Sequence, residues 1–203
     1  FRTLLKGKLI WTAASLHESE EIEVLEAYKI AKRDLPNLVL IMIPRSIELS
    51  KNTKRKSQRY SNHTLHRVEE DDIPNRNTDI IVVGRVGEVG LWYRLAFLSF
   101  IGNSLDFKKI KTGKNPYEAV QAKSVVIHGP KMLEPGYEKL SVLGISDIVL
   151  NRYDISKAIK KYSDSNKRLI KIKSGNALLV QNKGVVKLVT EDVASFYEKK
   201  GGL

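Results

Sequence analysis

Short apolar runs alternate with amphipathic stretches along most of the chain. Leu9–Ala14 follows Gly7-Lys8 as a nearly unbroken apolar run, too short for a helix, and reads as a buried strand. Ser15 then reads as a helix N-cap, with Glu18 completing a capping box three residues on. Glu20, Glu21 and Glu23 suit the positive end of that helix, and Ile22, Leu25 and Tyr28 fall on one face. Pro36 lies beyond its end, and Leu38–Ile43, closed by Pro44, is a second buried strand. A basic helical stretch runs on to Ser61-Asn62. Short strands are expected at Leu65–Val68, Ile80–Val83, Phe97–Ile101, Val125–Ile127 and Ile148–Leu150. Helices are expected at Glu88–Ala96, at Asn115–Ala122 with Pro116 at its first position, at Ile155–Tyr162 and over much of Lys167–Tyr197, where Gly175 and Gly184 would interrupt.

Strand and helix thus alternate at the spacing of βα units. The pattern predicts an α/β fold: a Rossmann-like parallel sheet with helices on both faces, one domain over 1–203, with C-terminal helices at about 152–199. In such sheets ligands bind beyond the carboxyl ends of the strands. The segments to watch are therefore Ser15–Glu18, Pro44-Arg45, Gly84–Glu88, Gly102–Ser104 and Asn115–Glu118.

Composition narrows the chemistry. With no cysteine there is no disulfide, thiolate zinc site or cysteine nucleophile. His63 and His66 lack a metal-binding spacing, no G-x-S-x-G elbow is present, and no metal is expected. No apolar run reaches the length of a membrane span. The chain begins at Phe1 rather than Met, as an excised piece of a longer protein would, so an N-terminal membrane anchor could have been lost. The net charge of +12 gathers in three groups: Lys51 to Arg59, Lys108 to Lys114, and Lys157 to Lys173. A solvated face accounts for each; an anionic membrane surface near the active site is the functional alternative. A nucleic-acid module is the rival that charge alone suggests, but few aromatics interleave with the lysines and no nucleic-acid motif is present, so nucleic acid is not expected as a partner.

Gly84, Gly87 and Gly90 stand three apart between a strand and a helix, which suits a phosphate cradle and a tight turn equally. Arg45 could pair with a phosphate or carboxylate, or be a surface arginine. Asn115 and Glu118 suit ribose hydroxyls or a helix cap, and His17 could touch ligand.

Together these post-strand segments resemble the Kdo (3-deoxy-D-manno-octulosonic acid) transferase family. WTAASLHESEE (Trp11–Glu21) resembles that family's W-x-A-A-S-T-H-x-G-E-E, and LVLIMIPRS (Leu38–Ser46) its strand ending in Pro-Arg-His. GRVGEVGLWYRLAFLSFIGNSL (Gly84–Leu105) resembles D-T-M-G-E-L-G-L-x-Y-R-L-A-D-x-A-F-I-G-G-S-L, and GKNPYEAV (Gly113–Val120) resembles G-G-H-N-P-L-E-P. The blocks stand in the family's order and cover Leu9 to Pro130. Departures fall at Leu16, Ser19, Ser46, Gly84-Arg85-Val86, Asn103, Lys114 and Val120.

The resemblance implies the C-terminal, CMP-Kdo-binding half of a two-domain GT-B glycosyltransferase that works by inversion in lipopolysaccharide biosynthesis. The acceptor, a lipid A precursor, and the catalytic base would belong to an N-terminal domain absent here. It implies donor binding by Ser15, His17, Pro44, Arg45, Gly87, Glu88, Gly102, Asn103, Ser104, Lys114, Asn115 and Glu118, with no cofactor, at the cytoplasmic face of a bacterial inner membrane. A GT-B domain for another nucleotide sugar, or a basic non-catalytic module, would be the alternative.

Overall fold

A computed structural model of the chain describes residues 1–105, 115–132 and 135–181. Seven strands form one wholly parallel sheet: β1 (Leu9–Leu16), β2 (Leu38–Pro44), β3 (Thr64–Arg67), β4 (Ile80–Val83), β5 (Leu98–Ile101), β6 (Val125–His128) and β7 (Ser146–Ile148). Their spatial order is β3-β4-β2-β1-β5-β6-β7. The chain builds outward from β1 on one side, overshoots to the edge at β3, returns to β4, and then crosses β1 to build the other side from β5.

The helices are α1 (Glu21–Lys32), α2 (Ser50–Ser57), α3 (Val89–Leu95), α4 (Tyr117–Gln121), α5 (Pro135–Val142), α6 (Arg152–Ser163) and α7 (165–181). A parallel sheet needs cover on both faces, because its strands are apolar on both. Alternate β2 residues accordingly enter opposite cores. Leu38, Leu40 and Met42 face Val24, Leu25 and Tyr28 of α1 and Ile155 and Ile159 of α6. Val39, Ile41 and Ile43 enter the core that holds Trp92 and Tyr93 of α3, Leu140 of α5 and Leu178 of α7.

Ser15 does not cap α1. It is the extra residue of a bulge in β1, where Ala14 pairs with Ile43 and Leu16 with Pro44, and its φ is +58°. Because side chains alternate along a strand, the added residue flips Leu16 onto the face of Trp11 and Ala13. The capping box is therefore absent: α1 starts at Glu21 with Glu20 at its N-cap, and Glu18 instead accepts hydrogen bonds from Asn52 and Lys56 of α2. Ile22, expected on the buried face, is 41% exposed; Glu21, Val24, Leu25, Ala27, Tyr28 and Ala31 form that face.

Other boundaries differ in informative ways. The last strand ends at Ile148 rather than beginning there. Helix α5 lies in a stretch for which no element was expected. Gly175 is no interruption but lies within α7, and a Cβ there would stand 2.8 Å from Val120 Cγ1, so hydrogen lets α7 pack against α4. Gly184 and the expected helix beyond 181 lie outside the described residues.

Candidate functional site

The strand order reverses between β1 and β5, so the crevice beyond their carboxyl ends is the expected ligand position. The residues there have unusual backbones. Ser15 ends β1 at φ +58° and Asn103 follows β5 at φ +62°, two of the three non-glycine residues with positive φ among those described. Each such conformation costs on the order of 1 kcal/mol and persists only where surroundings hold it.

The bulge in β1 sets Ser15, and Glu20 holds Asn103. The Glu20 side chain is 1% exposed. Oε1 accepts from the backbone N–H of Ser104 (2.7 Å) and Leu105 (2.9 Å); Oε2 accepts from those of Asn103 (2.5 Å) and His17 (3.0 Å). No cation pairs with it among the described residues, so backbone dipoles alone offset the buried charge. The N–H groups of Asn103 and Ser104, expected to face a nucleotide phosphate, are thus already bound to a carboxylate. Gly102 lies below them, and a Cβ there would stand 3.0 Å from both Leu16 Cα and Glu20 Oε2.

Ser104 is fully buried and structural. Its hydroxyl donates to Ile101 O at 2.7 Å and accepts from Gly129 N–H at 2.8 Å. A Cβ on Gly129 would lie 2.1 Å from Ser104 O, so only glycine allows the ends of β5 and β6 to meet this closely. The Gly129 carbonyl accepts from His128 Nδ1, 2.7 Å away, which leaves Nε2 to accept from the hydroxyls of Ser141 and Ser146, each at 3.2 Å. That neutral ring is 3% exposed, and burial holds its pKa below the ordinary value, against the opposing pull of the Gly129 carbonyl and Asp147.

Three further predicted residues complete the crevice. Pro44 is buried at the end of β2, and Arg45 ties that end to β1 by donating its N–H to Leu16 O at 2.9 Å. The Arg45 side chain is exposed and has no ion-pair partner among the described residues. His17 is half-buried. Its Nδ1 accepts from Ser19 N–H at 3.3 Å and lies 2.8 Å from Ser19 Oγ.

The remaining predicted residues serve other partners. Gly87 makes the turn before α3 at φ +84°. Glu88 forms a paired contact with Arg67, whose Nε and Nη2 donate at 2.9 and 2.8 Å, and Arg85 stands 3.4 Å away. Arg67 is 4% exposed, also donates to the carbonyls of Glu69, Glu70 and Asp72, and lies over the Phe1 ring. Nothing in its setting in the sequence marked it. Asn115 caps α4, its Oδ1 accepting from Tyr117 N–H at 2.9 Å. Glu118 is exposed and lines a 190 Å³ recess with Gly90, Arg94, Gln121 and Ala122. Lys114 lies outside the described residues. His66, with its Nε2 3.1 Å from Ser50 Oγ, has its pKa lowered by burial and then by Lys54 and Lys51. Among the described residues no three His, Asp or Glu side chains gather as a metal site would require, and no helix is long and apolar enough to cross a membrane.

The chain matches no protein-family model. It is 28% identical to the 3-deoxy-D-manno-octulosonic acid transferase of Haemophilus influenzae over 98% of its own length and 47% of that protein. It is 30% identical to that of Rickettsia bellii over 86% of its length and 36% of that protein. The chain therefore spans about half the length, or less, of these curated relatives. Among solved structures it resembles the C-terminal CMP-Kdo binding domain of WaaA from Acinetobacter baumannii (TM-score 0.75, 23% identity, covering 86% of this chain and 91% of that one). It also resembles a UDP-forming trehalose-phosphate synthase from Burkholderia vietnamiensis (TM-score 0.59, 14% identity, covering 96% of this chain and 46% of that one). The chain is accordingly homologous, over part of their length, to the 3-deoxy-D-manno-octulosonic acid transferases, and it has the α/β architecture of a GT-B-like domain.

Proposed function

We propose that the chain is the donor-binding domain of a Kdo transferase, taking CMP-Kdo in the crevice between the ends of β1 and β5. The observation that carries this is Arg45, exposed, without an ion-pair partner among the described residues, and tied by its backbone N–H to the end of β1, in a chain homologous to the transferases almost throughout. In the proposed reaction an acceptor hydroxyl attacks the anomeric carbon of Kdo, the bond from that carbon to the phosphate oxygen breaks with inversion, and CMP leaves with the electron pair. Arg45 would meet the charge that develops on the departing phosphate, and no metal is invoked. The proton acceptor and the site for a lipid A precursor would come from a further domain. An anionic membrane surface on the cytoplasmic side of a bacterial inner membrane suits the net charge of +12.

A donor carrying another base is the second possibility, favoured by the departures at Ser46, Arg85, Asn103 and Lys114. Titration of CMP and UMP into the labelled chain, followed by amide shifts, tests both. Shifts confined to 15–20, 44–46 and 102–105 and saturating at lower CMP than UMP support CMP-Kdo. The reverse preference supports a uridine nucleotide, and a spectrum unmoved by either overturns the donor-domain assignment.

A further inference from the structure

The Glu20 carboxylate is the least expected feature of the crevice. It is buried at 1% exposure, faces no cation among the described residues, and is satisfied by backbone N–H groups from residues 83 to 85 positions later in the chain and from its own loop. Consecutive N–H groups converging on one point form an anion-binding concavity. In this molecule the concavity after β5 is filled from within. Two consequences follow. The 103–105 amides already have a partner, so a donor phosphate would be met elsewhere, with Arg45 as an exposed cation just after β2. The same carboxylate also joins the loop that follows β1, at His17, to the loop that follows β5, at Asn103 to Leu105, the two walls of the crevice.

A buried charge is a poor way to gain stability alone, because desolvation cancels most of what its hydrogen bonds supply. It is a good way to fix one geometry, because a carboxylate offers acceptors in a fixed fork that no apolar or amide side chain reproduces. We propose that Glu20 is a positioning residue for the donor: by filling the Asn103–Leu105 amide concavity it sets the two crevice walls in the arrangement that receives the nucleotide. This rests on the donor-domain assignment above.

The test measures CMP affinity in the full 203-residue chain and in two variants. Glu20→Gln keeps the size but turns an amide NH2 toward N–H donors. Glu20→Ala empties the concavity and opens it to a small carboxylate. The expected result is at least about a tenfold loss of CMP affinity in Glu20→Gln, the scale of one or more buried donors left unmet. Amide shift changes should be confined to residues 15–20 and 102–105. Glu20→Ala should lose affinity likewise and regain it in excess acetate but not in chloride of equal ionic strength, a repair that a variant damaged only in stability would not show. Wild-type affinity in Glu20→Gln overturns the proposal, as does a loss in Glu20→Ala that acetate leaves unrepaired. Should Glu20→Ala fail to fold, Glu20→Gln decides. If the unaltered chain binds CMP and the variants bind equally, Glu20 positioning fails alone; if the unaltered chain binds no CMP, the donor assignment fails and positioning falls with it.

Discussion

His128 is held neutral by what surrounds it: a carbonyl on one nitrogen and serine hydroxyls on the other. Its depressed pKa means that the unfolded chain takes up a proton near pH 6.5 that the folded chain refuses. The stabilising contribution is therefore complete above pH 6.5 and is lost as pH falls toward the folded value. Between pH 7 and pH 5 the melting temperature should decline, by up to about 1.4 kcal/mol per pH unit in stability. His128→Gln should flatten that part of the profile; an unchanged slope would assign it to other groups. Arg45 is the opposite kind of residue, exposed and tied down only through its backbone. Arg45→Ala should leave the melting temperature within about 1 °C, since surface substitutions stay near ±0.5 kcal/mol, and should weaken CMP binding about tenfold. Calorimetric titration beside thermal melts separates the two effects.

Among the elements, the link from β3 to the start of α3 is the most exposed to damage. Arg67 at the end of β3 is buried, and Glu88 is the carboxylate that neutralises it. Glu88→Ala leaves that charge in place without its partner, at a cost of about 3 kcal/mol; Arg67→Met with Glu88→Leu should recover most of it, as read by urea unfolding. Gly129→Ala should cost more than about 2 kcal/mol, because the added methyl meets backbone rather than a movable side chain. How much of this was legible follows the same division. β2 and β4 could be read directly, because strands buried on both faces are apolar at every position. The Asn115 cap could be read too, because its partner is two residues away. Ser15 was misread because S-x-x-E is a local signal, overridden by a pairing between β1 and β2 that local sequence does not carry. Glu20 was read only as a helix-start glutamate like its neighbours, since three of its four amide partners stand more than eighty residues downstream. Helix α5 was not expected, and β3, with Thr64, His66 and Arg67, left the edge position and hence the strand order unreadable.

At the scale of the molecule, the crevice lies at the carboxyl edge of the sheet in a chain that covers 47% of its Haemophilus relative. The purified chain should bind CMP yet transfer no Kdo to a lipid A precursor at an enzymatic rate; measurable turnover by this chain alone would show that the whole catalytic apparatus lies within it. The +12 charge should make adsorption to vesicles containing anionic lipid fall steeply with salt, while CMP binding, which engages few cations, should fall less. The central place of β1 has a bearing on how the protein is made. Of the seven described strands β1 is made first, and only its β2 side can be paired early, because its other neighbour begins at Leu98. A nascent or prematurely terminated chain ending before that point holds an open apolar strand edge in the middle of its future core, together with a glutamate whose amide partners do not yet exist. Synthesis of residues 98–105 closes both at once and moves the open edge outward to β5, where β6 covers it when Val125–His128 follow.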